Sequence, residues 1–424
     1  MTLTIGCLNL ARGSRRGDEA DSGAVGGVRL LTSAATGVVE ANLVTLNEAF
    51  RLTCIAELIE RKTSGACAAA PSQFQSGSSS ILPQFFSAFP HRGSARSVAP
   101  MESLRIYADL ALPPDALELL RAGTAGHTLV FPAKPITSVL AKGEPDPQFA
   151  TVDVAFGQPD VQSVAEAARL RWIHVSSAGI TRYDTAEFRA LVAGRGIAVS
   201  NSSGVYDEAC AVHALSFMLA HARKIPLGLR TRVSNADPKW QALRDASSTL
   251  RGETVLLLGF GAIAKRLAEL LRPFGVKLVA FRRRPRGDEG MPVVTEAGLP
   301  AALAEAEHVV NILPESAATR RFFDGARFAQ LKPRAVFYNI GRGATVDQDA
   351  LLGALRSGHI GAAWLDVTDP EPLPDPHPLW AEPNCFITPH VAGGHSGEAC
   401  TLVRHFLENL GRFTRGAALM DRVV

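Results

Sequence analysis

Three side chains in the C-terminal third could act together: Arg342, Glu371 and His390. Each follows a short apolar run that reads as a β-strand. Arg342 sits in Tyr338-Asn339-Ile340-Gly341-Arg342-Gly343. Glu371 closes Leu365-Asp366-Val367-Thr368-Asp369-Pro370-Glu371-Pro372. His390 lies in Thr388-Pro389-His390-Val391-Ala392-Gly393-Gly394. An arginine grips a carboxylate with a fixed fork of donors. An imidazole moves a proton near neutral pH, and a carboxylate beside it fixes its tautomer. Together they suit reduction of a carbonyl that neighbours a carboxylate. Taken singly, each has a plainer reading: a surface arginine, a loop histidine, an exposed glutamate between two prolines. Their placement after three successive strands favours the joint reading, because ligands bind outside the carboxyl ends of parallel strands.

The elements that would carry them alternate. An apolar helix runs from about Val205 to Ala222. Six strand runs follow, at 254–258, 276–281, 309–313, 335–340, 361–366 and 385–388. Six parallel strands joined by helices is the count of a complete dinucleotide-binding domain. Asp347 can cap the helix after the fourth of them and Gly358 can end it. Between 101 and 201 the strand candidates are 103–108, 128–131, 152–156, 172–176 and 197–200. Helices are expected at 115–122, 161–169 and 185–193. This alternation implies a second parallel sheet covered on both faces. A last helix, about Ser396 to Thr414, is expected to return to that first sheet. Two chain crossings then make a hinge and a cleft.

Residues 1–100 differ in composition. Ser64 to Pro100 is rich in Ser, Ala and Gly, and only 38–62 has helical patterning, through Leu43, Leu46, Phe50, Ile55 and Leu58. We read this region as a disordered extension or the product of an upstream start codon, with the folded chain starting at Met101.

A glycine loop lies at the first strand of the second group. Thr254-Val255-Leu256-Leu257-Leu258 leads into Gly259-Phe260-Gly261-Ala262-Ile263-Ala264 and then a helical run. This is GxGxxA in a strand–turn–helix setting. Gly259 permits the tight turn, Gly261 lets backbone approach a pyrophosphate, and Ala264 packs helix on strand. The Ala262 and Ile263 amides would meet the phosphates. The pattern alone is weak and is also met in plain turns; the strands around it strengthen it. The next strand ends not in an acid but in Arg282, with Arg283, Arg284 and Arg286 following. A guanidinium cannot accept a bond from ribose hydroxyls, yet it pairs with a 2′-phosphate. NADP(H) is therefore the expected coenzyme, with NAD(H) as the lesser one. The plainer reading is a solvated basic loop.

Bulk properties exclude several classes. Of 424 residues 46% are hydrophobic and 20% charged, as in an ordinary globular protein. The formal charge of +3 is too small to imply a nucleic-acid partner. No apolar run is long enough to span a membrane, and no secretory leader is evident, so a cytoplasmic location is expected. Cys7, Cys54, Cys67, Cys210, Cys385 and Cys400 show no metal-binding spacing; free thiols and no metal are expected.

With these residues stated, 101–424 resembles the D-isomer-specific 2-hydroxyacid dehydrogenase family, especially its glyoxylate/hydroxypyruvate reductase type. The segments that carry the resemblance are Ser176-Ser177-Ala178-Gly179-Ile180, Asn201-Ser202-Ser203-Gly204-Val205, Gly259 to Ala264, Asn311-Ile312-Leu313-Pro314 with Thr319, and the three around Arg342, Glu371 and His390. The resemblance implies an α/β fold of two domains. A doubly wound Rossmann coenzyme domain, 202–395, is inserted in a smaller flavodoxin-like substrate domain, 101–201 plus 396–424. It implies Arg342, Glu371 and His390 as catalytic residues. Ala178 and Gly179, with Arg342 and His390, would bind substrate. The coenzyme would meet Gly259 to Ile263, Arg282, Arg283, Leu313, Pro314, Thr319, Ile340, Gly341, Arg342, Asp366, His390 and Gly393. Asp366 would contact the nicotinamide carboxamide. A homodimer acting on a small 2-oxo or 2-hydroxy acid is implied.

Two departures stand out. Val212 precedes His213 where the family usually has an acid, and Gly341 precedes Arg342 where it has Ala or Ser. The first bears on domain closure, the second on the stiffness of the arginine turn. His308, His359, His377 and His395 are read as structural, and Trp240 as a packing residue. The competing reading is a catalytically weak NAD(P)(H)-sensing binding protein of corepressor type. Formate dehydrogenase is disfavoured because Glu371 stands where a glutamine would, and phosphoglycerate dehydrogenase because little chain follows the last helix.

Overall fold

The computed structural model describes residues 102–138, 141–234 and 237–424. The expectations for residues 1–100 lie outside the described residues. Five strands open the chain: β1 Arg105–Ala108, β2 Thr128–Val130, β3 Val154–Gly157, β4 Trp172–Val175 and β5 Ala198–Ser200. They pair in parallel in the order β2-β1-β3-β4-β5. That is the flavodoxin-like order. Helices Pro114–Gly123, Val161–Glu166 and Ala186–Gly194 connect them; the second is shorter than the expected 161–169.

A 20-residue helix, Ser203–Ala222, leads to the second sheet. Its strands are β6 Thr254–Leu258, β7 Lys277–Phe281, β8 Val293–Val294, β9 His308–Asn311, β10 Val336–Asn339, β11 Ala362–Leu365 and β12 Cys385–Ile387. All pair in parallel, in the order β12-β11-β10-β9-β6-β7-β8. Seven strands replace the six expected. The addition is β8, two residues long and too short to show periodicity. The sheet order reverses between β6 and β9, which opens a crevice at their carboxyl ends.

Alternation of side chains builds the cores. Leu256, Leu258, Val309, Phe337 and Leu365 fill one face of the seven-stranded sheet. Val255, Leu257, Val310, Tyr338 and Trp364 fill the other, against Ala214, Phe217 and Met218 of the long helix. Both faces are covered, so the central residues of these strands are apolar, with polar residues such as His308, Asn311 and Asn339 at their ends. The helix Glu398–Thr414 returns to the five-stranded sheet as expected, burying Leu402, Val403, Phe406 and Leu410 against Ile106, Phe156 and Trp172. Phe406 stacks on Phe156 at 4.3 Å and on Trp172 at 5.4 Å between ring centroids. The Asp347 side chain caps its helix by accepting from Ala350 N, and Gly358 follows with φ +72°.

One packing expectation fails. Trp240 lies on the helix Pro238–Asp245 and is 48% exposed, with the Arg244 guanidinium over its ring. Ile225, Leu227 and Leu229 on the preceding helix are exposed as well. No helix among the described residues is long and apolar enough to cross a membrane.

Phe406 is fully buried between two rings. Phe406→Ala is expected to lower unfolding free energy by about 3–5 kcal/mol, the cost of a large aromatic cavity. A urea titration followed by Trp fluorescence reads this as a fall in midpoint.

Candidate functional site

The glycine loop joins β6 to the helix Ala262–Leu271. Gly259 has φ +91°, and a Cβ there would lie 3.1 Å from the Ile312 carbonyl oxygen. Only glycine suits that conformation and that approach. A Cβ on Gly261 would meet nothing within 4 Å, so the loop faces open space there. Ala264 is buried in the core below and Phe260 packs beside it, leaving backbone on the open side. A cleft of about 1150 Å³ extends from this loop. Its walls include Ala262, Ile263, Arg282, Arg283, Leu313, Pro314, Thr319, Ile340, Gly341 and Arg342. The helix N-terminus, the small loop residues and the cleft together fit a dinucleotide with its pyrophosphate at the amides. Thr319 contributes order: its hydroxyl donates to the Pro314 carbonyl at 2.6 Å.

The basic segment after β7 divides in two. Arg282 Nη1 donates to Glu289 Oε1 at 2.8 Å, and Glu289 also accepts from Arg286 N and Gly287 N, each at 2.8 Å. The Arg286 amide above all, with the Arg282 guanidinium, holds the Glu289 carboxyl down to about 2. Arg282 thus braces its own loop. Arg283 and Arg284 are exposed and form no ion pair among the described residues.

A second cavity, about 700 Å³, adjoins the first; the two share Ala178, Gly179, Ile263, Ile340 and Arg342. Asp366, His390 and Gly393 line it too. Arg342 follows β10 and reaches the loop after β4. A Cβ on Gly179 would lie 1.8 Å from Arg342 Nη2, so the guanidinium rests where a side chain would be. The turn that carries it is held on three sides. Gly341 is pressed to the Leu313 backbone, where a Cβ would lie 2.7 Å from the carbonyl oxygen. This closeness accounts for glycine in place of Ala or Ser. Gly343 lies as close to the Thr368 carbonyl, and Thr345 Oγ1 donates to Arg342 O at 2.6 Å.

His390 Nδ1 is 2.7 Å from Glu371 Oε1. Glu371 itself lines neither cavity. His390 has φ +52°, an uncommon backbone for histidine. Asp366 supports it. Its carboxylate is 2% exposed and accepts from Thr388 Oγ1 at 2.6 Å, Val391 N at 2.9 Å and Ala392 N at 3.0 Å. His390 N donates to Asp366 O at 2.8 Å. Three of about four acceptor positions on this carboxylate are used, so at most one remains for a ligand. His213 joins the brace, with Nε2 at 3.2 Å from Thr388 Oγ1; burial lowers its pKa.

The carbonyls of the loop after β4 are each engaged by a donor. Ser176 O accepts from Tyr206 OH at 3.0 Å, Ser177 O from Ser202 N at 3.1 Å, Ala178 O from Asn201 Nδ2 at 2.6 Å and Gly179 O from Ser177 Oγ at 2.7 Å. The Ala178 and Gly179 N–H groups remain unengaged within the described residues. Such amides form an anion site.

Sequence reasoning missed Tyr206, Glu289 and the bracing use of Asp366. Asn201 was legible only as part of the stretch that starts the long helix. His395, read as structural, lines the second cavity and is exposed, with Nδ1 3.0 Å from Ser396 O. His308 is buried as expected, bonded to Tyr338 OH and Glu253. Among the described residues no cluster of His, Cys, Asp or Glu is arranged to hold a metal, and Cys210, Cys385 and Cys400 are free thiols.

Known proteins resemble this chain in sequence and in fold. Residues 215–392 match the family model described as D-isomer specific 2-hydroxyacid dehydrogenase, NAD binding domain. A glyoxylate reductase of Aeropyrum pernix is 31% identical over 331 residues, 74% of this chain and 94% of that protein. The human glyoxylate reductase/hydroxypyruvate reductase is 35% identical over 229 residues, 54% of this chain and 69% of that protein. Among solved structures, a D-isomer specific 2-hydroxyacid dehydrogenase from Xanthobacter autotrophicus Py2, in complex with NADPH and MES, superposes with TM-score 0.62 at 29% identity. The match covers 76% of this chain and 98% of that one.

Gly179→Ala places a methyl group inside the space of the Arg342 guanidinium. Its expected effect is a fall in kcat/KM of ~10²-fold, on the scale of misplacing a catalytic group by about 1 Å. Steady-state kinetics beside a thermal melt check this: the melting temperature should change little, because Arg342 can swing into the cavity.

Proposed function

Because the chain belongs to the D-isomer specific 2-hydroxyacid dehydrogenase family, we propose that it reduces a small 2-oxo acid of the glyoxylate/hydroxypyruvate type with NADPH. The products are the D-2-hydroxy acid and NADP⁺, and the reverse reaction uses the same groups. The observation that carries this reading is the His390–Glu371 pair at 2.7 Å beside an Arg342 seated on Gly179.

Bound NADP(H) supplies or accepts the hydride. The residues do the rest. The Ala178 and Gly179 amides hold the substrate carboxylate, and Arg342 grips it and polarises the carbonyl. Glu371 occupies His390 Nδ1, which leaves Nε2 to exchange the proton. During reduction Nε2 delivers that proton to the carbonyl oxygen as the carbon takes the hydride; Glu371 stabilises the imidazolium before the transfer and fixes the tautomer of the neutral ring after it. Asp366 keeps the His390 backbone in its left-handed conformation, so the ring returns to one place in each turnover. Its remaining acceptor position suits the nicotinamide carboxamide.

The coenzyme preference rests on Arg283 and Arg284. Both are exposed at the cleft wall, and Arg282 directly follows β7 at the position where an acid would accept ribose hydroxyls. Glu289 does not serve, because its oxygens are occupied inward. The chain also fits a homodimer. Val212, Ile225, Leu227, Leu229 and Trp240 present apolar surface that a second copy would cover.

Two measurements test these statements. NADPH should exceed NADH in kcat/KM, and Arg283→Ala with Arg284→Ala should erase at least ~10-fold of that advantage by removing charge-assisted bonds. An NADH preference in the parent protein would overturn the coenzyme assignment. His390→Ala should lower kcat by ~10² or more, the usual contribution of a general acid–base group. For assembly, light scattering should give twice the 45.0 kDa chain mass, and Leu229→Glu should halve it.

A further inference from the structure

We infer that Gln158 is a positioning residue for the substrate: its carboxamide sets the direction of the Ser177 hydroxyl, and through it the loop whose amides bind the carboxylate. The inference rests on the reading above that the Ala178 and Gly179 amides take that carboxylate.

Gln158 follows β3 and is 3% exposed. Its backbone is locked, because its N–H donates to both oxygens of Asp109, each at 3.0 Å. Gly157 before it has φ +140°, and a Cβ there would lie 1.7 Å from Asp109 Oδ1. No other residue type allows the strand to end so close to that carboxylate.

The side chain has one consistent orientation. Arg182 Nη1 lies 3.2 Å from Gln158 Oε1. A guanidinium carries only donors, so the oxygen must face it. The amide nitrogen then faces Ser176 Oγ at 3.1 Å and Ser177 Oγ at 2.9 Å, donating one N–H to each. Ser177 Oγ, having accepted there, directs its own proton to Gly179 O at 2.7 Å. Each donor forces the next. The chain runs from Arg182 through Gln158 and Ser177 to the Gly179 carbonyl, which is held by a donor of fixed direction.

The other three carbonyls of the loop are held by Tyr206, Ser202 and Asn201, none of which touches Gln158. Removing the Gln158 donor therefore frees one carbonyl, the last, beside the Gly179 amide and the Arg342 guanidinium. The expected fault is weaker substrate binding with the fold and coenzyme cleft intact.

Gln158→Glu is the discriminating change. It keeps the volume and the acceptor that faces Arg182, but offers oxygen to both serine hydroxyls. The Ser177 proton then turns toward residue 158, and Gly179 O loses its donor. Steady-state kinetics with glyoxylate and NADPH should show KM for glyoxylate raised by ~10-fold, the scale of one lost hydrogen bond. KM for NADPH should stay within about 2-fold and kcat should fall far less than KM rises. Ser177→Ala alone should raise KM to a similar degree, and it remains informative if Gln158→Glu fails to fold. The double variant should be no worse than the more impaired single one, because both break the same link. Multiplying effects, or a glyoxylate KM unchanged in either single variant, would overturn the inference while leaving the proposed function standing. A parent protein that oxidises no NADPH with glyoxylate or hydroxypyruvate would overturn both.

Discussion

The contact between the Arg342 guanidinium and the α-carbon of Gly179 governs the geometry of the site. One partner follows β10 of the seven-stranded sheet and the other follows β4 of the five-stranded sheet. A charged group lies where any other residue at 179 would put a side chain. Both cavities include these two residues, so the two cavities meet at this point. Glycine is required three times in its immediate surroundings: Gly179 below the guanidinium, Gly341 against Leu313 and Gly343 against Thr368. Each admits backbone where a methyl group would collide. The arginine is thereby fixed by exclusion as much as by its bonds.

The histidine is fixed by attraction instead. A buried carboxylate, Asp366, gathers Thr388 Oγ1 and the amides of Val391 and Ala392 around it. That wrapping turns the chain and gives His390 its φ of +52°. A non-glycine residue in that region is strained and persists only where its surroundings hold it. Glu371 arrives from a separate loop to take Nδ1. The histidine ring and the loop backbone are thus held by different carboxylates. The same division recurs at the coenzyme end, where Glu289 ties Arg282 into the loop and leaves Arg283 and Arg284 outside it.

Much of this was legible in the sequence, for physical reasons. Strands buried on both faces read as apolar runs, so eleven of the twelve strands and the glycine loop were placed within a few residues. Arg342, Glu371 and His390 were singled out because parallel sheets put ligands at the carboxyl ends of their strands. What escaped depends on contacts between residues far apart in sequence. Gln158 meets Ser177 and Asp109 only after β1, β3 and β4 align. The Asp366 brace forms across a 25-residue separation from Val391. β8 has two residues and no period to detect. Trp240 was misread because an aromatic residue near a strand suggests packing, whereas its helix stands off the core.

Substrate anchoring by Arg342 is the claim from which the rest of the account follows, and an inert 2-oxo acid mimic isolates it from turnover. Calorimetric titration of oxamate into the protein saturated with NADPH should show binding to the parent chain. Binding should be weaker by ~10-fold or more in Arg342→Lys, because a lysine cannot offer the paired donors of a guanidinium. Oxamate affinity unchanged by that substitution would contradict the account.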